Sequence, residues 1–387
     1  MKIGVLGIGC TKFGEHWDKS ISDLLTISQF QALKDAGISP EQIDSIFVGN
    51  MNSAIFSGQV HLGVIAAEMF NLNIPAYSVE SACASGGVAI RNGVMAILSG
   101  MAEVVMVSGV EKMTDVTSEE VTTALMSAAS EELETFGGAT FPALNALVAQ
   151  NYISKYGLTR KQLASVSIKN HKHGSLNPNA HFKREINLDD VLNSPIISDP
   201  FTVLDCSPVS DGAATVILCS DSFAKKINKK LVNIVASGMA VDSLSLQNRE
   251  NLTSMKATRL AADQACKSAD LNPKDINVVE LHDAFSILEI IALEDLGFFA
   301  KGEAGKATEE GKTYFDSNFG LAVNPSGGLK AKGHPVGATG VSQVVEITKQ
   351  LRGECDKNQV KDARVGLTHN MGGCGASVVV HILKKED

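Results

Sequence analysis

Residues 79–90 of the chain read VESACASGGVAI, and this stretch decides the fold. Its first residues favour an extended segment and its small residues favour a helix, so Cys83 lies at the bend between the two. A thiol at a helix N-terminus meets unpaired backbone N–H groups and the positive end of the helix dipole, and both favour the thiolate. The pattern predicts that Cys83 is a nucleophile. The alternative is a structural cysteine in a packed helix start, because free cysteine is often buried.

A helix-turn-strand unit near the N-terminus recurs in the second part of the chain. Residues 32–49, ALKDAGISPEQIDSIFVG, align without a gap on residues 265–282, ACKSADLNPKDINVVELH, and the proline before the strand has the same offset in both. Each unit continues into a small-residue loop that opens a helix, at Cys83 in the first and at His334 in the second. The repeat predicts two similar α/β halves with mostly parallel sheets, and it places Cys83 and His334 at equivalent helix starts facing one cleft.

The predicted halves span residues 1–222 and 230–387. Residues 114–200 have no counterpart in the second half, so we expect an inserted loop subdomain over one face of the first half, where a lid or substrate-binding element belongs. Helices are predicted within it at 125–130, 141–156 and 159–172.

Length, composition and charge narrow the class of protein. A chain of 387 residues exceeds what one hydrophobic core usually organises, and 44% hydrophobic with 20% charged residues indicates a well-packed globular protein. The net charge of -9 argues against a nucleic-acid partner. Seven cysteines without a Cys-x-x-Cys pair predict free thiols in a reducing compartment rather than a disulfide framework or zinc ribbon. The sequence has no apolar run long enough for a membrane span, and we expect a cytoplasmic protein.

A second glycine-rich stretch, residues 327–340, reads GGLKAKGHPVGATG. Glycines permit close backbone approaches, and a histidine held before a proline can take a proton from a cysteine. We therefore predict that His334 activates Cys83 and that Lys332 contacts a phosphate. The alternative is a surface turn with solvated lysines.

Two further stretches follow predicted strands. His282 comes just after the strand 276–280, where α/β folds gather ligand groups, and it is a candidate donor to an oxyanion or else a histidine of the core. Residues 369–376, HNMGGCGA, offer the backbone N–H groups of Gly372 and Gly373 as donors. Cys374 is either an acid/base or a small residue in a crowded turn.

Together these stretches resemble the motifs of the thiolase family, over essentially the whole chain. SACASGG at 81–87 resembles the nucleophile loop, GHP at 333–335 the activating-histidine loop, and HDAF at 282–285 the oxyanion-hole loop. The resemblance implies a duplicated, five-layered α/β/α/β/α fold and the making or cleavage of acyl-CoA thioesters.

The resemblance also implies a division of roles. Cys83 attacks an acyl-CoA, His334 accepts its proton, and the enolate of a second acetyl-CoA attacks the acyl-enzyme. His334 and a water held by His282 resemble the first oxyanion hole. The backbone N–H groups of Cys83 and of Gly372 or Gly373 resemble the second.

Two departures from the family pattern leave one role unassigned. Many thiolases have Asn-Glu-Ala-Phe where this chain has HDAF, and a Cys-x-Gly loop, whose cysteine moves the second proton, where it has NMG at 370–372. Thiolases of the sterol-carrier-protein type use the cysteine of His-Asp-Cys-Phe instead, and here Ala284 stands at that position. His282 and Cys374 remain as candidates for the second acid/base.

The remaining expectations follow from the same resemblance. Coenzyme A contacts are expected at Ser207, Val209, Ser210 and Lys332, with acyl-CoA substrates, no metal and no further cofactor. A homodimer or homotetramer is implied. The HDAF version, without an appended sterol-carrier domain, is most similar to archaeal members that condense two acetyl-CoA to acetoacetyl-CoA and coenzyme A for the mevalonate pathway. The resemblance to such members implies a hydroxymethylglutaryl-CoA synthase and a zinc protein of the DUF35 type as partners.

Two other functions stay open on the sequence alone. One is a degradative thiolase that cleaves longer 3-ketoacyl-CoA substrates. The other is a thiolase-fold carrier of acyl-CoA or lipid that has lost catalysis, which the missing Cys-x-Gly cysteine favours.

Overall fold

Strands and helices alternate along both halves of the chain in the computed structural model, which describes residues 2–386. The strands are β1 (Ile3–Cys10), β2 (Ser45–Gly49), β3 (Ala76–Val79), β4 (Val104–Glu111), β5 (Ile196–Ser198), β6 (Phe201–Thr202), β7 (Gly212–Ser220), β8 (Val232–Val241), β9 (Val278–Glu280), β10 (Ala322–Val323), β11 (Val365–Gly372) and β12 (Ser377–Lys385). The helices are α1 (Ile21–Ala36), α2 (Ser53–Phe56), α3 (Leu62–Glu68), α4 (Ser85–Leu98), α5 (Ser118–Met126), α6 (Phe141–Tyr156), α7 (Arg160–Leu176), α8 (Leu188–Leu192), α9 (Asp221–Lys226), α10 (Lys256–Ala269), α11 (Ser286–Asp295), α12 (Ala304–Glu309), α13 (Gly328–Lys332) and α14 (Thr339–Arg352).

The two halves repeat one strand order. Among the described residues, ten strands form one hydrogen-bonded sheet in the order β10-β9-β11-β12-β8-β1-β7-β4-β2-β3. From the middle outward, the first half runs β1-β7-β4-β2-β3 and the second runs β8-β12-β11-β9-β10, so corresponding strands occupy corresponding places. The halves are joined in the sheet only where Gly4 pairs with Asn233 and Val5 with Val232. The expectation of two similar α/β halves is confirmed.

The expectation of mostly parallel sheets is wrong. The outer strands of each half are parallel, whereas β7 pairs antiparallel with β1 and β4, and β12 pairs antiparallel with β8 and β11. In the second half, the short turn 373–376 joins β11 directly to β12, and so tight a connection can only produce antiparallel neighbours. The prediction assumed a helix after every strand.

Two central helices hold the halves together. α4 and α14 pack on each other and contact strands of both halves, while α1 and α3 cover the first set of strands and α10 covers the second. A Cβ atom on Gly86 would lie 2.8 Å from the carbonyl oxygen of Gly337, and one on Gly340 would lie 2.2 Å from the nitrogen of Gly87. Glycine is therefore required where the two helices begin, and this close approach brings together the loops that carry Cys83 and His334.

The inserted segment differs from its prediction in two respects. A capping box between Thr117 and Glu120 starts α5 at Ser118, so the helix expected at 125–130 ends at Met126. α6 and α7 pack against α11, α12 and α13 of the second half rather than over the first half. The helices predicted at 141–156 and 159–172 are present as α6 and α7.

The helices of the structure bear on the expectation that the chain has no membrane span. Within residues 2–386, no helix combines the length and the apolar character that crossing a bilayer requires.

Candidate active site

One cavity of about 280 Å³ lies where the first half, the second half and the inserted segment meet. Its wall is largely apolar, with few polar groups near Cys83. Such a wall suits a ligand that is mostly hydrocarbon and carries one reactive polar centre. The lining residues are Cys83, Met113, Ser118, Val121, Thr122, Leu125, Met126, Phe141, Pro142, Asn145, Cys206, Ser207, Pro208, Val209, His282, Ala284, Phe285, Leu288, His334, Val336 and Gly373.

A strained turn presents Cys83 to this cavity. Ala82 has a φ of 51°, which is unusual for a residue with a side chain, and its N–H donates to the carboxylate of Glu80 at 2.6 Å. The hydroxyl of Ser85 accepts from the N–H of Ser81 at 2.9 Å and donates to the carbonyl of Ala82 at 2.5 Å. These bonds close the turn just before α4, so that only 9% of Cys83 is exposed.

A hydroxyl fixes the proton of His334. The Oγ1 of Thr339 donates to the carbonyl of Pro335 at 3.0 Å, and the same oxygen is 2.7 Å from the Nδ1 of His334. Because its one hydrogen is already donated, the hydroxyl must accept from Nδ1–H. Nε2 is then the unprotonated nitrogen, and burial, which lowers the pKa of His334 to about 3, keeps the ring neutral.

The opposite tautomer holds for His282. Asn370 is oriented by two bonds: its Oδ1 accepts from the N–H of Gly87 at 3.0 Å, and its Nδ2 donates to the carbonyl of Cys83 at 2.9 Å. Nδ2 of Asn370 and the N–H of Met371 both face Nδ1 of His282, at 3.4 and 3.5 Å. Since both neighbours are donors, Nδ1 accepts and Nε2 carries the hydrogen. Burial lowers the pKa of His282 well below its ordinary value, so the ring is a neutral donor.

The three groups converge on one point. The sulfur of Cys83 and one ring nitrogen each of His282 and His334 lie within 4.8 Å of one another, and the two rings meet edge to face with centroids 4.8 Å apart. Within residues 2–386 no other cluster of this kind resembles a metal site. Because Nδ1 of His282 already faces two donors, only its protonated Nε2 is left for a further partner, so the arrangement suits proton transfer better than metal ligation.

Burial opposes the thiolate that the helix start favours. Burial, followed by the nearby charge of Glu111, raises the pKa of the Cys83 thiol to about 12, although a hydrogen bond from the backbone of Gly373 acts in the opposite direction. Because the thiol is almost fully desolvated, burial outweighs the helix dipole at Cys83. The sulfur must lose its proton to a base as it attacks.

The other predicted residues divide between the cavity wall and the interior. Ser207, Val209 and Gly373 line the cavity. Gly372 does not, but a Cβ atom there would lie 2.6 Å from the carbonyl oxygen of Ser81, so its lack of a side chain lets the nucleophile turn pack against β11.

Two of the expected coenzyme A contacts are directed away from the cavity. The hydroxyl of Ser210 is fully buried and lies 3.0 Å from Nδ1 of His181. The ammonium of Lys332 is buried 2.9 Å from the carboxylate of Glu346. The expectation that Lys332 meets a phosphate is wrong, because a buried carboxylate already takes its charge.

Cys374 also lies behind the cavity wall. Its sulfur accepts from Nδ2 of Asn145 at 3.5 Å, and Asn145 rather than Cys374 lines the cavity. Burial raises the pKa of the Cys374 thiol to about 12.

Sequence reasoning missed the residues that orient the site. Thr339 and Asn370 fix the two histidine tautomers, and Asn145 donates a hydrogen bond to the sulfur of Cys374. Thr339 stands five positions after His334 and carries no motif of its own. Asn370 stands where the family has a cysteine, and an amide near the end of β11 is the signal that could have identified an anchor for the neighbouring loop.

Comparisons with known proteins agree with this geometry. Residues 4–222 match the family description "Thiolase, N-terminal domain", and residues 238–385 match "Thiolase C-terminal domain-like". The acetyl-CoA acetyltransferase of Methanothermobacter thermautotrophicus is 46% identical over 99% of both chains. Among solved structures, an "Ltp2-ChsH2(DUF35) aldolase" covers 100% of this chain and 98% of its own with a TM-score of 0.85 at 24% identity. The human mitochondrial 3-ketoacyl-CoA thiolase has a TM-score of 0.77 at 19% identity, over 100% of this chain and 99% of its own.

Proposed function

The chain belongs to the thiolase family, and on that premise we propose that it condenses two acetyl-CoA to acetoacetyl-CoA and coenzyme A through an acyl-enzyme at Cys83. The observation that carries the proposal is the convergence, within 4.8 Å, of the Cys83 sulfur with one ring nitrogen each of His282 and His334, two neutral imidazoles of opposite tautomer. A nucleophile, a base and an oxyanion donor are the groups that acyl transfer requires.

In the first half-reaction, the sulfur of Cys83 attacks the thioester carbonyl of acetyl-CoA. Nε2 of His334 takes the thiol proton as the S–C bond forms, which overcomes the high pKa of the buried thiol. The tetrahedral intermediate then expels coenzyme A as a thiolate, and His334 returns the proton to it. The products are acetyl-Cys83 and free coenzyme A.

Two sets of donors stabilise the negative oxygen in the two half-reactions. Nε2–H of His282 is available to one oxyanion, directly or through a water. The backbone N–H groups of Cys83 and Gly373 are the donors for the other, and the glycine turn brings Gly373 to the cavity wall. Removing one such donor typically costs about 100- to 1,000-fold in rate.

The pantetheine arm of coenzyme A passes Ser207 and Val209 in this proposal. Val209 is 40% exposed and stands at the mouth of the same cavity that ends at Cys83. Thioester substrates supply all the chemistry of these steps, so the proposal includes no metal and no further cofactor.

Assembly and setting are also part of the proposal. Edge strand β3, whose Tyr77 is 50% exposed, supports a homodimer or a homotetramer formed by strand pairing. The likeness to the Ltp2-ChsH2(DUF35) aldolase supports a DUF35-type zinc protein as a partner. A hydroxymethylglutaryl-CoA synthase as partner, a place in the mevalonate pathway and a cytoplasmic location rest on the sequence resemblance alone.

Mass spectrometry of the protein mixed with acetyl-CoA tests the proposal directly. We expect one acetyl group on the peptide that contains Cys83, none in the C83A variant, and formation of acetoacetyl-CoA by the unmodified protein. A protein that binds acetyl-CoA yet leaves Cys83 unmodified would instead be a carrier without catalysis.

A second candidate, degradative thiolysis of longer 3-ketoacyl-CoA, is favoured by one observation. Leu125, Met126, Phe141 and Leu288 extend the apolar wall beyond what an acetyl group needs. Thiolysis rates for substrates of increasing acyl length separate the two activities. Fast turnover of medium chains with little turnover of acetoacetyl-CoA would reject the condensation reaction.

A further inference from the structure

We propose that His334 is the base in both half-reactions, so that it takes first the proton of Cys83 and later the α-proton of the second acetyl-CoA. This inference rests on the proposed function and deepens it, because the second acid/base is the one role that the motifs leave unassigned. The geometry decides among the titratable groups that line the cavity, which within residues 2–386 are Cys83, Cys206, His282 and His334.

His282 is not a base in this arrangement. Its Nδ1 is turned toward the amide of Asn370 and the N–H of Met371, both of which are donors. The amide cannot turn over, because Gly87 donates to its oxygen and the carbonyl of Cys83 accepts from its nitrogen. The nitrogen that remains free therefore carries a hydrogen and can only donate.

Neither remaining cysteine is placed to remove the proton. Cys374 does not line the cavity, and its sulfur accepts from Nδ2 of Asn145, which does. The thiol of Cys206 lines the cavity but points its hydrogen at the carbonyl of Thr202, 3.6 Å away, and Cys206 is not in the group that converges on Cys83.

A carboxylate close to the nucleophile is also unavailable. Glu111 is fully buried and does not line the cavity. Its two oxygens accept from the backbone of Met51, Asn52 and Gly337 and from the side chain of Asn50, at 2.8 to 3.2 Å. It anchors the loop that carries His334 rather than contacting substrate.

His334 meets the requirements for the second proton as well as the first. Thr339 keeps its Nδ1 protonated, so Nε2 has a lone pair whenever the ring is neutral. A carbon that attacks the acetyl group on Cys83 must come within about 3 to 3.5 Å of its carbonyl carbon. That position lies beside the sulfur, and one ring nitrogen of His334 is within 4.8 Å of the same sulfur.

The protons balance with one base. After the first half-reaction His334 is neutral again, because the Cys83 proton has left with coenzyme A. In the second, Nε2 takes the α-proton of acetyl-CoA, the resulting enolate forms a C–C bond to the acetyl carbon, and the intermediate breaks its C–S bond to expel the Cys83 thiolate. That thiolate takes the proton from the His334 imidazolium, which restores the resting thiol and the neutral ring.

Exchange of the methyl protons of acetyl-CoA in D₂O measures the second proton transfer without the first. In the C83A variant no acyl-enzyme can form, so exchange followed by NMR reports only the base that removes the α-proton. We expect C83A to catalyse exchange and C83A/H334A to lose about 100-fold or more of it. The exchange rate of C83A/C374A should stay within about threefold of the rate of C83A, and that of C83A/C206A within about tenfold.

Parallel measurements separate the possible failures. Acetylation of Cys83 in the unmodified protein tests the proposed function, and unchanged thermal unfolding of each variant shows that it is folded. If Cys83 is acetylated but exchange is lost with C374A or C206A and survives H334A, the single-base inference is wrong while the proposed function stands. Absence of exchange in C83A, beside normal condensation by the unmodified protein, would also overturn it.

Discussion

Thr339 controls the chemistry of the site without touching a substrate. Its hydroxyl accepts from Nδ1–H of His334 and donates to the carbonyl of Pro335, so it determines which ring nitrogen has the lone pair. Misplacing that lone pair removes the base while leaving every reacting residue present. The tautomer of His334 is therefore set by its hydrogen bond with Thr339, not by the histidine itself.

Replacing Thr339 by valine should lower the rate of Cys83 acetylation by about 10- to 100-fold, because the ring loses the partner that fixes its tautomer. The burst of coenzyme A release on mixing with acetyl-CoA measures this rate. T339S keeps the hydroxyl and is the matched control. Equal bursts from T339V and T339S would show that the ring is oriented by other contacts.

At the scale of single residues, the sequence predicted a role correctly where a motif indicates it. It failed where burial determines the orientation or the protonation of a side chain. The duplicated loops led to Cys83 and His334, which the structure brings together. The orientation of Lys332 depended on Glu346, fourteen positions later on the next helix, and no spacing rule points to that pair. The protonation of Cys83 depended on desolvation, which is a property of the folded interior.

The contact between α4 and α14 is the element on which the site depends. Both helices begin with glycines, and a Cβ atom on Gly340 would lie 2.2 Å from both the nitrogen of Gly87 and Oδ1 of Asn370. G340A must therefore push the two helix starts apart or displace the amide that orients His282. Overpacking of this kind costs about 1 to 3 kcal/mol in the free energy of unfolding.

We expect G340A to lose about 100-fold in condensation rate, because a shift of about 1 Å between reacting groups has an effect of this size. Condensation assays and denaturant unfolding measure the two consequences. The control is G137A, since a Cβ atom on Gly137 meets only the carbonyl oxygen of Glu134, at 3.5 Å. A G340A protein as active as G137A would mean that the helices adjust without moving the site.

Elements were predictable where periodicity and stop signals are local. Helices α6 and α7 lie close to the expected ranges, and so does the strand β9. The direction of β7 and β12 was missed because sheet order depends on tertiary pairing. α5 starts at Ser118 rather than at 125 because the capping box at Thr117 sets its N-terminus.

Buried neutral histidines link the stability of the whole molecule to pH. His369 is fully buried, with Nε2 2.9 Å from the hydroxyl of Thr258, and burial lowers its pKa from 6.5 to about 4. Between these values the unfolded chain binds a proton that the folded protein does not. The contribution is complete above pH 6.5 and is lost as the pH falls toward 4.

The H369Q variant should therefore lose less stability than the unmodified protein on acidification from about pH 6.5 to 4. The difference in slope should approach about 1.4 kcal/mol per pH unit, and denaturant unfolding at several pH values measures it. Glu111 and Glu280, whose pKa burial raises to about 7, act in the opposite direction but equally in both proteins. Parallel pH curves would indicate that His369 is protonated in the folded state.

The hydrogen bond from Asn370 to the carbonyl of Cys83 joins residues 287 positions apart. The site is therefore completed late in folding. Contacts of such long sequence separation close large loops and form slowly, and a chain made from its N-terminus has the nucleophile turn long before its anchor exists. Catalytic competence is then the last property to appear. During refolding, acetyl transfer should return later than far-ultraviolet circular dichroism, and simultaneous recovery would show that the thiol turn is assembled without its partner.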